Sequence, residues 1–413
     1  MDKKYPLVLF VIIALGFVLR EQARPSWLGA AMLKDKVEQK RALLDPAFSQ
    51  FIRDYESYLH QQLREEGVPG AAVAVVKDSA IALIRSYGLR SAASGEPVTL
   101  HTVFRIASLS KGFAGLLSAM VVKEGLLSWD EPVYKHVPGL RLKSEAQTHA
   151  LQLRHVLSHT SGLPRHTYSN LLNMGMAYPA ILEMLREVEP SHPAGVCHNY
   201  QNVAFSLSGD VLQSVAGKPY DQLLKERIFE PLGLTETTAT YEEMLAAGNR
   251  AMPHRRTAGG FAETEVEPNY YEVLPAAGVN SSISDMAEWL QLLLGNRQHV
   301  ASEELLGQIF RPFVDIPIND RVLRNWHGLE AAHYGMGWRI LKLNGGLEVI
   351  QHSGYVNGYR AEIAFSRQEK LGIVLLANAP NYTVGHSIPA FFEQYQARCR
   401  LPAATANSKK EAQ

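Results

Sequence analysis

Phe104-Arg105-Ile106-Ala107-Ser108-Leu109-Ser110-Lys111-Gly112-Phe113 sets a serine three residues ahead of a lysine where a helix is expected to begin. Residues three apart on a helix are neighbours, so Ser108 and Lys111 would share one face. Ser108 would also lie in the first turn, at the positive end of the helix dipole. A serine hydroxyl is a poor nucleophile until a base takes its proton. Lys111 can be that base if burial and its neighbours lower its pKa toward neutrality. Four-residue matches of this kind are common by chance, so the same stretch also reads as a helix cap followed by a solvated lysine. The rest of the chain has to decide between the two.

Working outward, Phe48 to Glu66 carries Phe51, Ile52, Tyr55, Tyr58, Leu59 and Leu63 at helical spacing and stops at Gly67. Ala71 to Val76 and Ile81 to Gly88 read as strands joined by the turn Lys77-Asp78-Ser79, a β-hairpin. The centre of the chain is helical in pattern, including Leu151 to His159 and Ala204 to Ala216. Strands return late, at Gly335 to Leu343, Leu347 to Gln351, Arg360 to Phe365 and Leu371 to Ala377, separated by Asn344-Gly345-Gly346, Asn357-Gly358 and Arg367 to Lys370. Ile388 to Ala397 is a last helix. Strands at both ends around a helical middle predict an α+β fold: an antiparallel sheet flanked by helices, with a mostly helical insertion over roughly 115–330. The catalytic unit is expected over 46–400, followed by a disordered tail at 401–413. A cleft between sheet and insertion is a natural ligand site.

Two further stretches carry candidate chemistry. In His198-Asn199-Tyr200-Gln201-Asn202-Val203, Tyr200 and Asn202 fall just before a helix. A tyrosine beside an ammonium can have its phenol pKa lowered from about 10, which makes it a candidate base or proton shuttle. Asn202 offers both a donor and an acceptor. In Gln351-His352-Ser353-Gly354-Tyr355, an edge strand with a glycine would let a substrate backbone come close and pair with it, with His352 pointing into the cleft. Each stretch alone also has a plain structural reading, as a packed tyrosine, a capping asparagine or a surface histidine.

The order Ser-x-x-Lys, Tyr-x-Asn, then a His-x-Gly strand is similar to that of the serine hydrolases that include class C β-lactamases, D-alanyl-D-alanine carboxypeptidases and related esterases. Leu153 to Pro164, Arg227 to Leu234 and Tyr334-Gly335-Met336-Gly337-Trp338 resemble that family too, so the likeness spans roughly residues 48–396. The resemblance implies that Ser108 is acylated, that Lys111 and Tyr200 share the proton transfers, and that Asn202 contacts Lys111 or a substrate amide. It places the oxyanion hole at the backbone N–H groups of Ser108 and Tyr355, and substrate contacts at His352, Ser353 and Gly354. Which residue is the base stays open.

The family's β-lactamases usually carry lysine at the position of His352, and its peptidase and esterase relatives often carry histidine. A peptide, amide or ester is therefore the favoured substrate, with β-lactam hydrolysis or an inactive penicillin-binding-like scaffold as alternatives. No metal or cofactor is expected. His155 and His159 are four apart, but no glutamate stands between them and no third ligand is evident.

Composition narrows the rest. With 413 residues, 46% hydrophobic and 20% charged, the chain can bury a sizeable core, and its +0 formal charge offers no basic excess for nucleic acid. Two cysteines, Cys197 and Cys399, exclude a disulfide framework and a four-cysteine zinc site, while one bond between them stays open. Lys3 and Lys4 precede an apolar run over residues 5–19 that ends at Arg20. The run is shorter than the ~20 residues that cross a bilayer comfortably, yet flanking basic side chains can snorkel. Residues 1–24 are read as a signal or uncleaved membrane anchor, the anchor being favoured over secretion after cleavage. Residues 25–45 are read as a linker, and the catalytic unit is expected on the exported side. The expected partners are a peptide or small-molecule substrate and the membrane.

Overall fold

The structure, a computed structural model, describes residues 45–400. The apolar segment, nearly all of the linker and the tail at 401–413 lie outside the described residues. Helix α1 (Pro46–Glu66) starts where Asp45 accepts the Phe48 N–H at 3.1 Å and Pro46 presets the first turn, and it ends at Gly67 with φ 69°. Strands β1 (Gly70–Lys77), β2 (Ala80–Ser91) and β3 (Glu96–Pro97) follow, then the short β4 (Phe104–Arg105) and α2 (Ser110–Lys123). From there to residue 310 the chain is mostly helical. This stretch includes α3 (Asn202–Ala216), a hairpin of β5 (His254–Thr257) and β6 (Gly260–Glu263), the short β7 (Asn280–Ser281) and α4 (Ile283–Leu293). The chain closes with β8 (Val314–Asp315), β9 (Leu329–Tyr334), β10 (Arg339–Leu343), β11 (Leu347–Val356), β12 (Tyr359–Ser366), β13 (Leu371–Ala377) and α5 (Thr383–Arg398).

The main sheet has nine strands in the order β3-β2-β1-β13-β12-β11-β10-β9-β8, with every neighbouring pair antiparallel. Alternation along β1 explains how it is sandwiched. Ala71, Val73 and Val75 pack with α1 and α5, whereas Ala72, Ala74 and Val76 pack with α2, α3 and α4 on the other face. The α1/α5 layer is aromatic: Phe391 stands 5.1 Å from Phe51 and 4.8 Å from Tyr55, whose hydroxyl donates to the Ser387 carbonyl at 3.0 Å.

Two boundaries and the place of one strand in the sheet differ from the sequence-based expectation. Gly335 to Trp338 is a turn between β9 and β10, not the start of a strand; Gly337 takes φ 87° and the Gly335 N–H donates to the Trp338 carbonyl at 2.8 Å. Strand β11 runs on to Val356, so Ser353, Gly354 and Tyr355 are strand residues. It is an interior strand, not an edge. Its pairing with β10 nevertheless stops at Gln351, which leaves residues 352–356 unpaired on that side while β12 pairs the other.

Close approach to the 335–338 turn positions α2. A Cβ on Gly112 would collide with the Trp338 ring, and one on Gly115 with the Met336 carbonyl. Because backbone cannot give way as a flexible side chain can, Gly115→Ala should cost about 1–3 kcal/mol through overpacking. Calorimetric unfolding tests this, and an unchanged midpoint would show that α2 and the turn can slide apart freely.

Candidate active site

The turn that carries Ser108 differs from a plain helix start. Ala107 takes φ 50°, residues Ala107–Leu109 form a 3₁₀ turn, and the α-helix begins only at Ser110. Ser108 therefore sits just ahead of α2, and Lys111 lies in its first turn. The turn is pinned from outside: Ser110 Oγ donates to the Ala107 carbonyl at 2.6 Å and accepts the Val279 N–H at 3.0 Å, while the Ile106 N–H donates to the Val279 carbonyl at 3.1 Å.

Lys111 is fully buried, and its Nζ has three polar neighbours: Asn202 Oδ1 at 2.9 Å, the Ala276 carbonyl at 2.8 Å and Ser108 Oγ at 3.2 Å. A neutral amine has two N–H bonds and one lone pair. Two pure acceptors plus one hydroxyl match that inventory, with the lone pair directed at the Ser108 proton. Burial, reinforced by the charge of Arg339, holds the Lys111 pKa well below the ordinary lysine value. Asn202, the first residue of α3, does not cap its helix; its side chain faces Lys111 instead.

Tyr200 donates its hydroxyl to Ser108 Oγ at 2.9 Å, and the Lys111 Nζ lies 4.7 Å from its ring centroid. Its phenol moves opposite to the sequence-based expectation. Burial pushes it up to about 12, outweighing the Arg339 charge and the Ser108 hydrogen bond, which pull it down. Tyr200 is thus a protonated phenol at neutral pH and can donate or relay a proton, while the environment of Lys111 disfavours its charge. The Tyr200 loop is held by the His159 stretch. The Gln201 N–H donates to His159 Nδ1 at 3.1 Å, the Asn199 N–H to the His159 carbonyl at 2.8 Å, and the His166 N–H to the Tyr200 carbonyl at 2.9 Å. His155 Nδ1 accepts the Gln152 N–H at 3.2 Å, so both histidines serve backbone. Among the described residues no cluster of three or more metal-ligating side chains occurs. Cys197 and Cys399 are both free thiols.

Gly354 brings β11 against Ser108. A Cβ there would stand 2.5 Å from the Ile106 carbonyl oxygen and 3.1 Å from the Ser108 amide nitrogen. The free edge of β11, with the Tyr355 backbone, consequently runs beside Ser108. His352 is the main correction. It is fully buried and does not open into the cleft: Nε2 lies 3.0 Å from the Tyr334 hydroxyl and Nδ1 lies 2.9 Å from the Ser353 carbonyl. A carbonyl only accepts, so the ring proton sits on Nδ1 and Nε2 accepts from Tyr334. Both nitrogens are occupied within the protein, leaving none for a substrate. Burial, reinforced by the charge of Arg339, keeps its pKa well below the usual histidine value.

Arg339, Tyr334 and the Ala276 carbonyl escaped the sequence reading. Arg339 is 4% exposed, lies 5.8 Å from the Tyr200 ring centroid and 5.9 Å from that of Tyr334, and donates to Gln351 Oε1 at 3.3 Å. Gln351 in turn donates to the buried Glu362 at 2.9 Å. A fixed cation thus stands under the site with an amide between it and the nearest buried carboxylate. Tyr334 belonged to a stretch already noted, and Arg339 directly follows that stretch; a backbone carbonyl leaves no side-chain signal.

Comparison with known proteins shows which chains this one is similar to. An unguisins hydrolase of Aspergillus campestris is 25% identical over 346 residues, covering 79% of this chain and 61% of its own length. A β-lactamase of Yersinia enterocolitica is 24% identical over 371 residues, covering 81% of this chain and 88% of its own. The protein flp of Staphylococcus aureus is 23% identical over 325 residues, 78% of this chain and 62% of its own. The chain thus spans under two thirds of the hydrolase and of flp. The octameric penicillin-binding protein homologue from Pyrococcus abyssi superposes with a TM-score of 0.71 at 24% identity, over 83% of this chain and 77% of that one, and so shares the fold. A profile described as Beta-lactamase matches residues 49–392, nearly all of the described chain, and on that match the protein belongs to the Beta-lactamase family of serine β-lactamase-like and penicillin-binding-like proteins.

Proposed function

We propose that the protein is a serine hydrolase that acts through a covalent acyl-enzyme on a peptide, amide or ester. The observation that carries this reading is the contact set of Lys111 Nζ, which lies 3.2 Å from the Ser108 hydroxyl and meets two pure acceptors, Asn202 Oδ1 and the Ala276 carbonyl. Ser108 Oγ attacks the substrate carbonyl carbon as Lys111 Nζ takes its proton. The oxyanion forms beside the Ser108 and Tyr355 N–H groups, where one such donor is worth on the order of 3 kcal/mol of barrier. The bond to the leaving group breaks as that group takes a proton from Lys111 through the Tyr200 hydroxyl. Water then attacks the ester carbon of acyl-Ser108, releasing the acid and restoring the serine. Asn202 and the Ala276 carbonyl hold Lys111 in line, and Gly354 keeps β11 close enough to complete the site. The naming of two relatives as hydrolase and β-lactamase supports the reaction class, and the latter favours β-lactam turnover as a second reading.

We also propose that residues 1–24 anchor the protein, with the catalytic unit on the exported side of the membrane. Support comes from the apolar run flanked by Lys3, Lys4 and Arg20. Among the described residues no helix is long and apolar enough to cross a membrane. Deleting residues 1–24 should release an active enzyme into the soluble fraction, as fractionation and labelling will show; continued membrane association would place the anchor elsewhere.

Incubation with a fluorophosphonate should add one adduct, at Ser108, by intact mass and peptide mapping. Ser108→Ala should take none, and Lys111→Ala and Tyr200→Phe should be labelled about 10²–10⁴-fold more slowly. Equal labelling of Ser108→Ala would refute the mechanism. The base must be neutral to act, so kcat/KM should rise with pH through the depressed Lys111 pKa and then level off. In Arg339→Met the repelling charge is gone, the Lys111 pKa rises, and the same limb should move to higher pH. An unmoved limb in a folded Arg339→Met protein would detach Arg339 from the proton inventory.

A further inference from the structure

Where the 335–338 turn meets the later part of α2 lies a cleft of about 560 Å³, an ordinary size for a small-molecule site. Val122, Trp129, Phe313 and Met336 give it apolar walls, and its polar side chains are Arg154, Gln308 and Arg311; among the described residues no acid lines it. The acylation site contributes nothing to this lining, and Val122 stands about 16 Å along α2 from Lys111 at about 1.5 Å per residue. Arg154 is already committed: it pairs with Asp130, and its Nε donates to Gln152 Oε1 at 3.0 Å. Gln308 Oε1 accepts the Trp129 Nε1–H at 3.1 Å, which leaves its amide NH₂ as a donor with no partner among the described residues. Arg311 is exposed and, among the described residues, has neither a carboxylate within ion-pair distance nor a side-chain hydrogen bond. The walls are held by backbone: the Phe313 N–H donates to the Tyr334 carbonyl at 2.9 Å, the Met336 N–H to the Ile309 carbonyl at 3.1 Å and the Arg154 N–H to the Trp129 carbonyl at 3.1 Å.

Two unengaged donors beside two aromatic side chains suit a flat ring that carries a carboxylate. The ring would lie against Trp129 and Phe313, while Arg311 and the Gln308 amide give the anion charge-assisted hydrogen bonds. The packing behind Met336 gives such an occupant a consequence. A Cβ on Gly115 would stand 2.2 Å from the Met336 carbonyl oxygen, and one on Gly337 would stand 2.4 Å from the carbonyl oxygen of Lys111. One wall of the cleft is therefore in backbone contact with the residue that meets Ser108, and a close-packed interior passes a displacement on. We propose that this cleft is an effector site for an aromatic carboxylate, and that an occupant leaning on Met336 slows acylation of Ser108 by moving Lys111 off Asn202 and the Ala276 carbonyl. Small misplacements of a catalytic group are costly, so the wall need move only a fraction of an ångström. The effect on acylation rests on the serine hydrolase reading; the binding site does not.

The probe is 2-naphthoate, with 2-naphthamide as its neutral control. Calorimetry should show one 2-naphthoate bound per chain, about tenfold to a hundredfold more tightly than the amide, as expected for hydrogen bonds to a charged group. Arg311→Gln, at an exposed position, should remove that advantage. No binding at millimolar concentration, equal affinity for acid and amide, or an affinity that Arg311→Gln leaves unmoved would each overturn the site; the last is also what binding at the acylation site would give. Saturating 2-naphthoate should slow fluorophosphonate labelling of Ser108 by about fivefold or more in the parent. Arg311→Gln should label at the parent's rate without the effector and keep that rate with it. An unchanged or faster parent rate with the cleft filled would overturn the coupling. If no probe labels Ser108 at all, the hydrolase reading has failed, and the coupling is read from Lys111 itself: its ¹⁵N Nζ resonance should shift at saturation in the parent and stay in place in Arg311→Gln. A parent resonance indifferent to bound 2-naphthoate overturns the coupling as well.

Discussion

The site depends on burying one amine where its charge is disfavoured. An ammonium at the position of Lys111 would have to leave water beside Arg339, with no carboxylate of the described residues in contact, and both conditions favour the neutral form. Neutrality is what makes a lysine a base. The Asn202 side chain and the Ala276 carbonyl take its two N–H bonds, so the remaining lone pair has one polar neighbour, the Ser108 hydroxyl. Tyr200, whose phenol stays protonated, completes the triangle by donating to the same oxygen.

Three separate parts of the chain have to converge for this, and small residues allow it. Gly112 and Gly115 let α2 lie flat on the 335–338 turn, and Gly354 lets β11 pass the Ser108 turn at backbone contact. The turn itself is held by Ser110 and Val279, and the Tyr200 loop by His159. Below them, Arg339, Gln351 and Glu362 form a buried polar chain that sets the local field without touching Ser108.

Much of this was legible in the sequence. Short apolar runs bounded by turn residues marked β1, β2, β12 and β13, and helical spacing marked α1, because those patterns reflect burial on one or both faces. Ser108, Lys111, Tyr200 and Asn202 stood out through motif order, and the fold brings them together across a sequence separation of 91 between Lys111 and Asn202. The start of α2 was missed because Ala107 adopts φ 50°, a local strain that no propensity announces. His352 was misdirected for another reason. Which way its ring faces is set by Tyr334 on β9 and by where β10 stops pairing, both properties of the sheet and not of the strand that carries it. Arg339 resembled any other arginine until burial gave it a role, and Ala276 acts only through its backbone.

The ionisation of Lys111 is the point on which everything else turns. It can be read directly by selective ¹⁵N labelling of lysine, with Lys111 assigned by comparison to Lys111→Arg, and its Nζ shift followed by NMR as pH is raised. The structure requires Lys111 to titrate well below the ordinary lysine value of about 10.4, apart from the remaining lysines. A Lys111 resonance that moves together with the surface lysines would show a charged amine at neutral pH and contradict the assignment of Lys111 as the base.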